Sequence, residues 1–373
     1  MRVLATCLPG YGHFHPMVPL ARALEAAGHE VAFATERRFC ARVAAAGFRA
    51  VPAGIGPGKV LERALLLPDA APDDTSRFGA QMFAAVAAPA KVPDLMAVVD
   101  DWRPELLLHD VTDFAGPLVA AGAGIPNMAH SLGPMFPLAL FRHAAHLLAL
   151  TPDSLFGDAY LDICPPSLQS PDLQRVQATV HALRPVPFDA VEGETLPPWV
   201  EELAPRPTVY VTLGTLDNDA PGVIEAAVAG LRDEPVNLIV TVGPNRDPGE
   251  LGPQPAHVHV ERYVPQSLLL PRCDVVVAHG GSGTTLAALA LGLPLLLLPQ
   301  GANQFENAER CAALGVGIRL LPEQVSAAAV RDGVRALFDE PGYRNRAKQL
   351  AAEIERMPSP EEVVPVLEGL AQH

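Results

Sequence analysis

Short apolar runs and amphipathic stretches alternate along most of this chain. RVLATC, at residues 2–7, is followed by apolar positions spaced three and four apart, which predict a helix from Pro16 to Ala27 closed by Gly28. EVAFAT is followed by a predicted helix over Arg37–Ala46, closed by Gly47, and FRAVP then reads as a short strand. Residues 53–76 are rich in Gly, Pro and Asp and read as loop. A helix is expected over Arg77–Val99, with a break near Pro89 and Pro93 because proline removes a helical donor. ELLLH reads as a strand, Phe114–Ala121 as a helix and PNMAH as the next strand. Strands separated by helical crossovers imply a parallel, doubly wound sheet.

The pattern stops in a proline-dense stretch and then restarts. LRPVPFDAVEGETLPPWVEELAPRP cannot supply the backbone donors of a central strand, and it reads as an interdomain linker. After it, TVYVTLG, VNLIVTV, DVVVA, LLLLP and VGIRLL are predicted strands separated by helical segments. The fold class is therefore α/β, with two Rossmann-like domains expected to face each other across a cleft. The expected divisions are a first domain over 1–185, a linker over 186–206 and a second domain over 207–355. A C-terminal helix over 356–373 is expected to pack back on the first domain.

Composition narrows the classes. A chain of 373 residues accommodates two domains, each with its own core. A formal charge of −15 argues against nucleic acid as a partner. No uninterrupted apolar run approaches the ~18 residues of a membrane span, and the first run is too short for a signal peptide. Five scattered cysteines without a CxxC pair suit a reducing, cytoplasmic setting.

Two turns carry the candidate chemistry. In PGYGHFHP, Gly10 and Gly12 begin a dinucleotide fingerprint, but its third glycine is replaced by His15, ahead of Pro16. This weakens the reading as an NAD(P)-dependent oxidoreductase, although Glu36 or Arg37 would suit a ribose. With strand order 3-2-1-4-5, the first and fourth strands are neighbours, so His13 and Asp110 should meet at the switch point. A carboxylate on one imidazole nitrogen fixes the tautomer and prepares the other to take a proton. Asp113 is the rival partner, and His109 is expected to pack. The alternative is that His13 only hydrogen-bonds the turn.

The second turn follows DVVVA and reads HGGSGTT. Its helix start offers free N–H groups and a positive dipole end, suited to an anion, with His279, Ser282 and Thr284 as side-chain donors. A tight strand–helix connection is the plainer explanation. Further on, Asn303 and Gln304 in QGANQ suit sugar hydroxyls or, alternatively, cap the next helix.

The combination of YVPQ, HGGSGTT and LPLLLLPQGANQ resembles the nucleotide-sugar signature of family 1 glycosyltransferases of the GT-B fold. GYGHFHPMVPLA and LLLHDVTDFAGPLVA resemble the family's N-terminal motifs, so the similarity spans the chain. It is nearest to bacterial enzymes that glycosylate polyketides and other secondary metabolites. The resemblance implies that His13 is the catalytic base and that Asp110 orients it. It implies a diphosphate site at His279, Gly280, Gly281, Ser282, Gly283 and Thr284, with Gly214 and Thr215 beside it. Tyr263, Val264 and Gln266 would hold the nucleobase, by stacking and main-chain contacts. Asn303 and Gln304 would read the donor sugar; the family usually has an acidic residue at position 303. The implied co-substrate is a dTDP- or UDP-linked sugar, and the reaction an inverting transfer to a hydroxyl of an apolar aglycone.

No resident cofactor and no metal are expected. Asp217-Asn218-Asp219 is a literal D-x-D but reads as a solvated loop, and the pairs His257/His259 and His143/His146 lack a third ligand. Phe78, Met82, Phe83, Met135 and Phe136 are candidate walls of an acceptor pocket, although core packing would explain them equally. The expected partners are a small-molecule acceptor and a nucleotide-sugar donor, with no nucleic acid and no membrane; a homodimer is left open. A catalytically silent nucleotide-sugar-binding protein is the rival from another class.

Overall fold

The computed structural model describes residues 1–189, 193–214, 221–244 and 246–372. It forms two compact units. The first comprises 1–164, 169–184 and 357–373; the second comprises 165–168 and 185–356.

In the first unit, apolar runs become strands β1 (Arg2–Thr6), β2 (Glu30–Thr35), β3 (Arg49–Pro52), β4 (Leu106–Asp110), β5 (Asn127–His130), β6 (Ala159–Asp162) and β7 (Thr179–Ala182). They lie side by side in the order β3-β2-β1-β4-β5-β6-β7, with every pairing parallel. The second unit contains β8 (Thr208–Thr212), β9 (Asn237–Thr241), β10 (Val258–Glu261), β11 (Val275–Ala278), β12 (Leu295–Leu297) and β13 (Gly317–Arg319). Their order is β10-β9-β8-β11-β12-β13, again all parallel. Such sheets are covered on both faces, so their strands are continuous apolar runs: Val275, Val276, Val277 and Ala278 have no exposed surface. Each sheet reverses direction beside its first strand, between β1 and β4 and between β8 and β11. Ligands of open α/β sheets bind at such points.

Several elements differ from the sequence reading. Helical structure begins at Tyr11 instead of Pro16, with an α-turn over Tyr11–Phe14, a 3₁₀ turn over His15–Met17 and a helix over Val18–Ala26. The extended Gly10 (φ −176°, ψ 146°) allows the chain to enter the helix immediately. Pro16 has no N–H for the carbonyl of Gly12, and the ladder tightens there into the 3₁₀ turn. Within the expected loop, Pro57–Leu65 is helical and buries Val60 and Ala64. Strands β6 and β7 have no counterpart in the sequence pattern, and Leu138–Leu148 forms a helix.

The expected break near Pro89 does not occur. Thr75–Trp102 is one helical rod, with a π-helical stretch over Gln81–Ala87 just before Pro89. That wider turn includes Ala85, the residue whose carbonyl the Pro89 ring would otherwise strike. By length and composition this helix of 28 residues matches a membrane span, although no single run in the sequence is that long. It contributes Ala80, Ala84, Leu95 and Val99 to the main core of the first unit.

The proline-rich segment read as a linker packs within the second unit. Val200 is buried, and Trp199 stacks on His259 with ring centroids 4.0 Å apart. The C-terminal helix, Pro360–Ala371, starts with a Ser359–Glu362 capping box and buries Val363, Val364 and Leu367. It packs against Val18–Ala26, and Glu368 meets His29 at 2.9 Å.

Candidate active site

Parallel pairing of β1 with β4 sets Thr6 beside His109, so the residues following each strand converge. His13 lies in the first helical turn after β1, not in a loop, and its Nδ1 is 3.0 Å from Oδ2 of Asp110 at the end of β4. The Asp110 carboxylate is fully buried and collects donors on both oxygens. Leu8 N donates to Oδ2 at 2.9 Å, and Thr112 N and Oγ1 donate to Oδ1 at 2.7 and 2.6 Å. Burial alone would raise the Asp110 carboxyl, but the His13 charge and hydrogen bond, with the donors from Thr112 and Leu8, hold it well below the usual range. For His13, burial pulls downward and the Asp110 carboxylate pulls upward by charge and hydrogen bond; the net shift is upward. With Nδ1 held, Nε2 is the nitrogen left for chemistry, on a side chain that keeps 23% of its surface exposed.

The rival partner, Asp113, is used elsewhere. Its Oδ2 accepts from Lys91 Nζ at 2.5 Å and from Thr6 Oγ1 at 2.7 Å, all buried. His109 is buried on its strand, with Nδ1 3.2 Å from the Asp110 carbonyl.

In the second unit the corresponding switch point carries a different arrangement. The helix after β11 runs Ser282–Ala290, with Gly281 as an uncapped N-cap. Its first N–H groups therefore have no side-chain cap, and a residue in that turn, Gly283, is exposed. His279 is nearly buried, which pushes its pKa down to about 4, and its Nδ1 has no hydrogen-bond partner among the described residues. The glycines around it are required sterically. A Cβ at Gly214 would lie 2.7 Å from His279 Cε1, and one at Gly281 would collide with Nε2. Gly280 has φ +90° and its carbonyl accepts from Asn307 Nδ2 at 2.8 Å. Thr215 and the Asp217-Asn218-Asp219 triplet lie outside the described residues.

The segments around Asn303 and Gln266, expected to read the sugar and the base, are tied to this turn by side chains. Asn303 Nδ2 and Asn307 Nδ2 each donate to Ser282 Oγ at 3.1 Å. With both lone pairs of Ser282 engaged, its own proton is left to donate outward. Gln304 is largely committed to its own loop: its Oε1 accepts from Gln300 N at 2.8 Å and Gly301 N at 3.1 Å. Asn303 occupies the N-cap position without a side-chain cap bond. Thr284 Oγ1 donates to Gln266 Oε1 at 3.1 Å. Tyr263 is half exposed, whereas Val264 is a core residue that can offer only its backbone. Asp189 braces this segment, its carboxylate accepting from Gln266 N and Ser267 N and its carbonyl from Tyr263 Oη at 3.1 Å.

These features together are those of a nucleotide-sugar enzyme, and comparison with known proteins agrees. The erythromycin biosynthesis protein CIII-like N-terminal domain matches residues 22–214, and the C-terminal domain of the same name matches residues 226–370. The chain belongs to this glycosyltransferase family. It is 36% identical to L-demethylnoviosyl transferase of Streptomyces niveus, over 100% of this chain and 98% of that protein. Among solved structures, the spinosyn rhamnosyltransferase SpnG complexed with thymidine diphosphate superimposes with a TM-score of 0.83 at 28% identity, covering 99% and 100% of the two chains. The glycosyltransferase VinC in complex with dTDP gives 0.84 at 27% identity, covering all of both chains. The fold is GT-B, and the protein is a glycosyltransferase of natural-product, antibiotic-type biosynthesis. The oxidoreductase reading falls with this assignment.

In this glycosyltransferase the proposed acceptor walls are divided. Phe78, Met82 and Phe83 pack with Ile55, Val60, Leu67 and Leu8, the residue whose N–H binds Asp110. Met135 is buried in the main core, where Tyr160 Oη reaches its sulfur at 3.6 Å, and Phe136 packs against that core. The histidine pairs have other roles where the structure gives contacts: His257 Nε2 is 2.9 Å from the Arg232 carbonyl, and His259 stacks on Trp199. Lys91, Thr112, Asp189 and Asn307 were missed in the sequence, where nothing distinguishes them from ordinary helix, loop and cap residues.

Proposed function

We propose that this enzyme transfers a sugar, with inversion, from a nucleoside-diphosphate sugar to a hydroxyl of an apolar secondary-metabolite aglycone. The observation that carries the reading is the His13–Asp110 contact of 3.0 Å, with the carboxylate buried and the imidazole accessible. Nε2 of His13 takes the acceptor proton as the acceptor oxygen bonds to the anomeric carbon. The bond from that carbon to the diphosphate oxygen breaks, and the leaving group departs with the electron pair. Asp110 holds the tautomer and stabilises the imidazolium. The acceptor is assigned to the first unit, beside Leu8, Phe78, Met82 and Phe83.

The donor is assigned to the second unit. The first N–H groups of Ser282–Ala290, the Ser282 hydroxyl and His279 would stabilise the developing diphosphate charge in place of a metal. Tyr263 and the backbone at Val264 and Gln266 would hold the base, and Asn303 the sugar, with Gln304 mainly shaping the loop. The thymidine diphosphate complexes of SpnG and VinC favour dTDP over UDP as the carrier. The reaction belongs in the cytoplasm, with neither membrane nor nucleic acid as a partner.

The test is His13→Ala, assayed with a panel of dTDP- and UDP-sugars against polyketide and phenolic acceptors. Transfer should fall by about 10²–10⁴-fold, while dTDP binding by calorimetry stays unchanged. Undiminished turnover would remove His13 from the mechanism. The anomeric configuration of the product by NMR tests inversion, and full activity in EDTA tests metal independence.

A further inference from the structure

Three consecutive residues leading from β1 toward His13 are each held by a polar group from elsewhere in the first unit. The Thr6 hydroxyl donates to Asp113 at 2.7 Å, the Cys7 carbonyl accepts from Lys91 Nζ at 2.8 Å, and the Leu8 N–H donates to Asp110 at 2.9 Å. Lys91 and Asp113 complete the arrangement by pairing with each other at 2.5 Å, with 4% and 1% of their side-chain surfaces exposed. The lysine stem crosses Gly54 (φ +83°), where an added Cβ would lie 3.2 Å from Lys91 Cγ. Gly54 N in turn donates to Asp94 Oδ2, one helical turn beyond Lys91, at 2.8 Å.

The geometry points to Lys91 and Asp113 as positioning residues for the His13–Asp110 pair: they clamp the turn that carries His13 and set opposing charges beside its imidazole. The inference rests on His13 being the base.

Stability alone does not account for this pair. A buried ion pair generally contributes no more than well-packed apolar residues of the same volume, because desolvation offsets the attraction. Its position does account for it. Asp113 raises the His13 pKa, Lys91 lowers it, and Asp110 raises it most among the charges. The other titratable groups at this turn are the Cys7 thiol, which burial pushes up and out of range, and His15 and Tyr11 on the same helical segment. With Lys91 and Asp113 both charged, their effects oppose, and Asp110 is left to set the base. Lys91 also belongs to the rod Thr75–Trp102 that carries Phe78, Met82 and Phe83, so the acceptor wall and the base are fixed to one element.

The test compares Lys91→Met, Asp113→Asn and the double variant in the full-length enzyme, with two readouts. One is titration of His13 by NMR of labelled histidine, assigned by its absence in His13→Ala; the other is the pH profile of kcat and kcat/KM. Asp113→Asn should move the His13 titration and the acid limb down, and Lys91→Met should move both up, each by about half a pH unit or more. The double variant should return them towards wild type. In all three, kcat should fall roughly tenfold with little change in KM, because neither residue touches substrate. If Lys91→Met does not fold, the isosteric Asp113→Asn carries the test alone. Unmoved titration in folded Asp113→Asn, or shifts of the same sign in both single variants, would overturn the inference. Transfer surviving in His13→Ala would instead overturn the base assignment, while the NMR shifts would still report on the pair.

Discussion

The two units carry the same sheet reversal and use histidine in opposite ways. In the first, the histidine follows the first strand and the carboxylate ends the neighbouring one, so His13 is held by Asp110 and shifted upward. In the second, the loop after the first strand brings Gly214 against the ring of His279, and the histidine follows the neighbouring strand. Among the described residues no carboxylate is paired with His279; burial pushes it down to about 4 and keeps it neutral. A base needs a partner that stabilises its cation. Under the proposed roles, the same fold yields a proton acceptor at one switch point and a hydrogen-bond donor at the other, through the choice of which strand carries the imidazole.

The comparison is broken most sharply by exchanging the losses. His13→Ala should reduce turnover by about 10²–10⁴-fold and spare nucleotide affinity. His279→Ala should chiefly weaken dTDP binding, read by calorimetry; a His279 variant with normal affinity and absent turnover would reverse the roles.

Acid stability should separate neutral from charged histidines. His279 and His130 both have pKa values pushed down by burial to about 4, below the ~6.5 of the unfolded chain. Between these values the unfolded state binds the extra protons, so stability should fall as pH drops from about 6.5 towards 4. Each contributes up to roughly 3 kcal/mol over that window. His279→Gln should flatten the dependence in denaturant titrations. His13, shifted upward, has the opposite sign: its contribution is complete below about 6.5 and is lost as pH rises through its folded value.

Smaller effects test the surroundings of His279. Gly281→Ala places a methyl group against the ring and should cost about 1–3 kcal/mol of stability or of nucleotide binding. Asn307→Leu, which removes donors to Ser282 and the Gly280 carbonyl, should weaken dTDP binding by about 1 kcal/mol. Unaltered affinity would mean that Ser282 orients itself without help.

Much of this was legible in sequence because strand order converts distant positions into neighbours. His13 and Asp110 are ninety-seven residues apart, and only the adjacency of β1 and β4 brings them together. What was not legible depends on packing. A lysine inside a helix normally reaches solvent, so nothing in KVPDLMAVVDD marks Lys91 as buried. Pro16 looks like a helix start because its ring suits the first turn, yet a 3₁₀ turn accepts it later. Strands β6 and β7 are four residues each, too short for periodicity to separate from loop. Asp189 lies in a stretch whose prolines read as a linker, although the segment packs as part of a domain.

The return of Pro360–Ala371 to the first unit has a practical consequence for recombination between relatives. The second unit cannot be exchanged at a single crossover without exchanging this helix as well. Grafting another enzyme's second unit onto this first unit requires one joint near residue 184 and another near 357, retaining the native tail. A chimera joined once would import a foreign terminal helix, facing Val18–Ala26 and His29 with side chains not shaped for them. Its failure would then reflect a mismatched tail and would say nothing about the unit it was built to test.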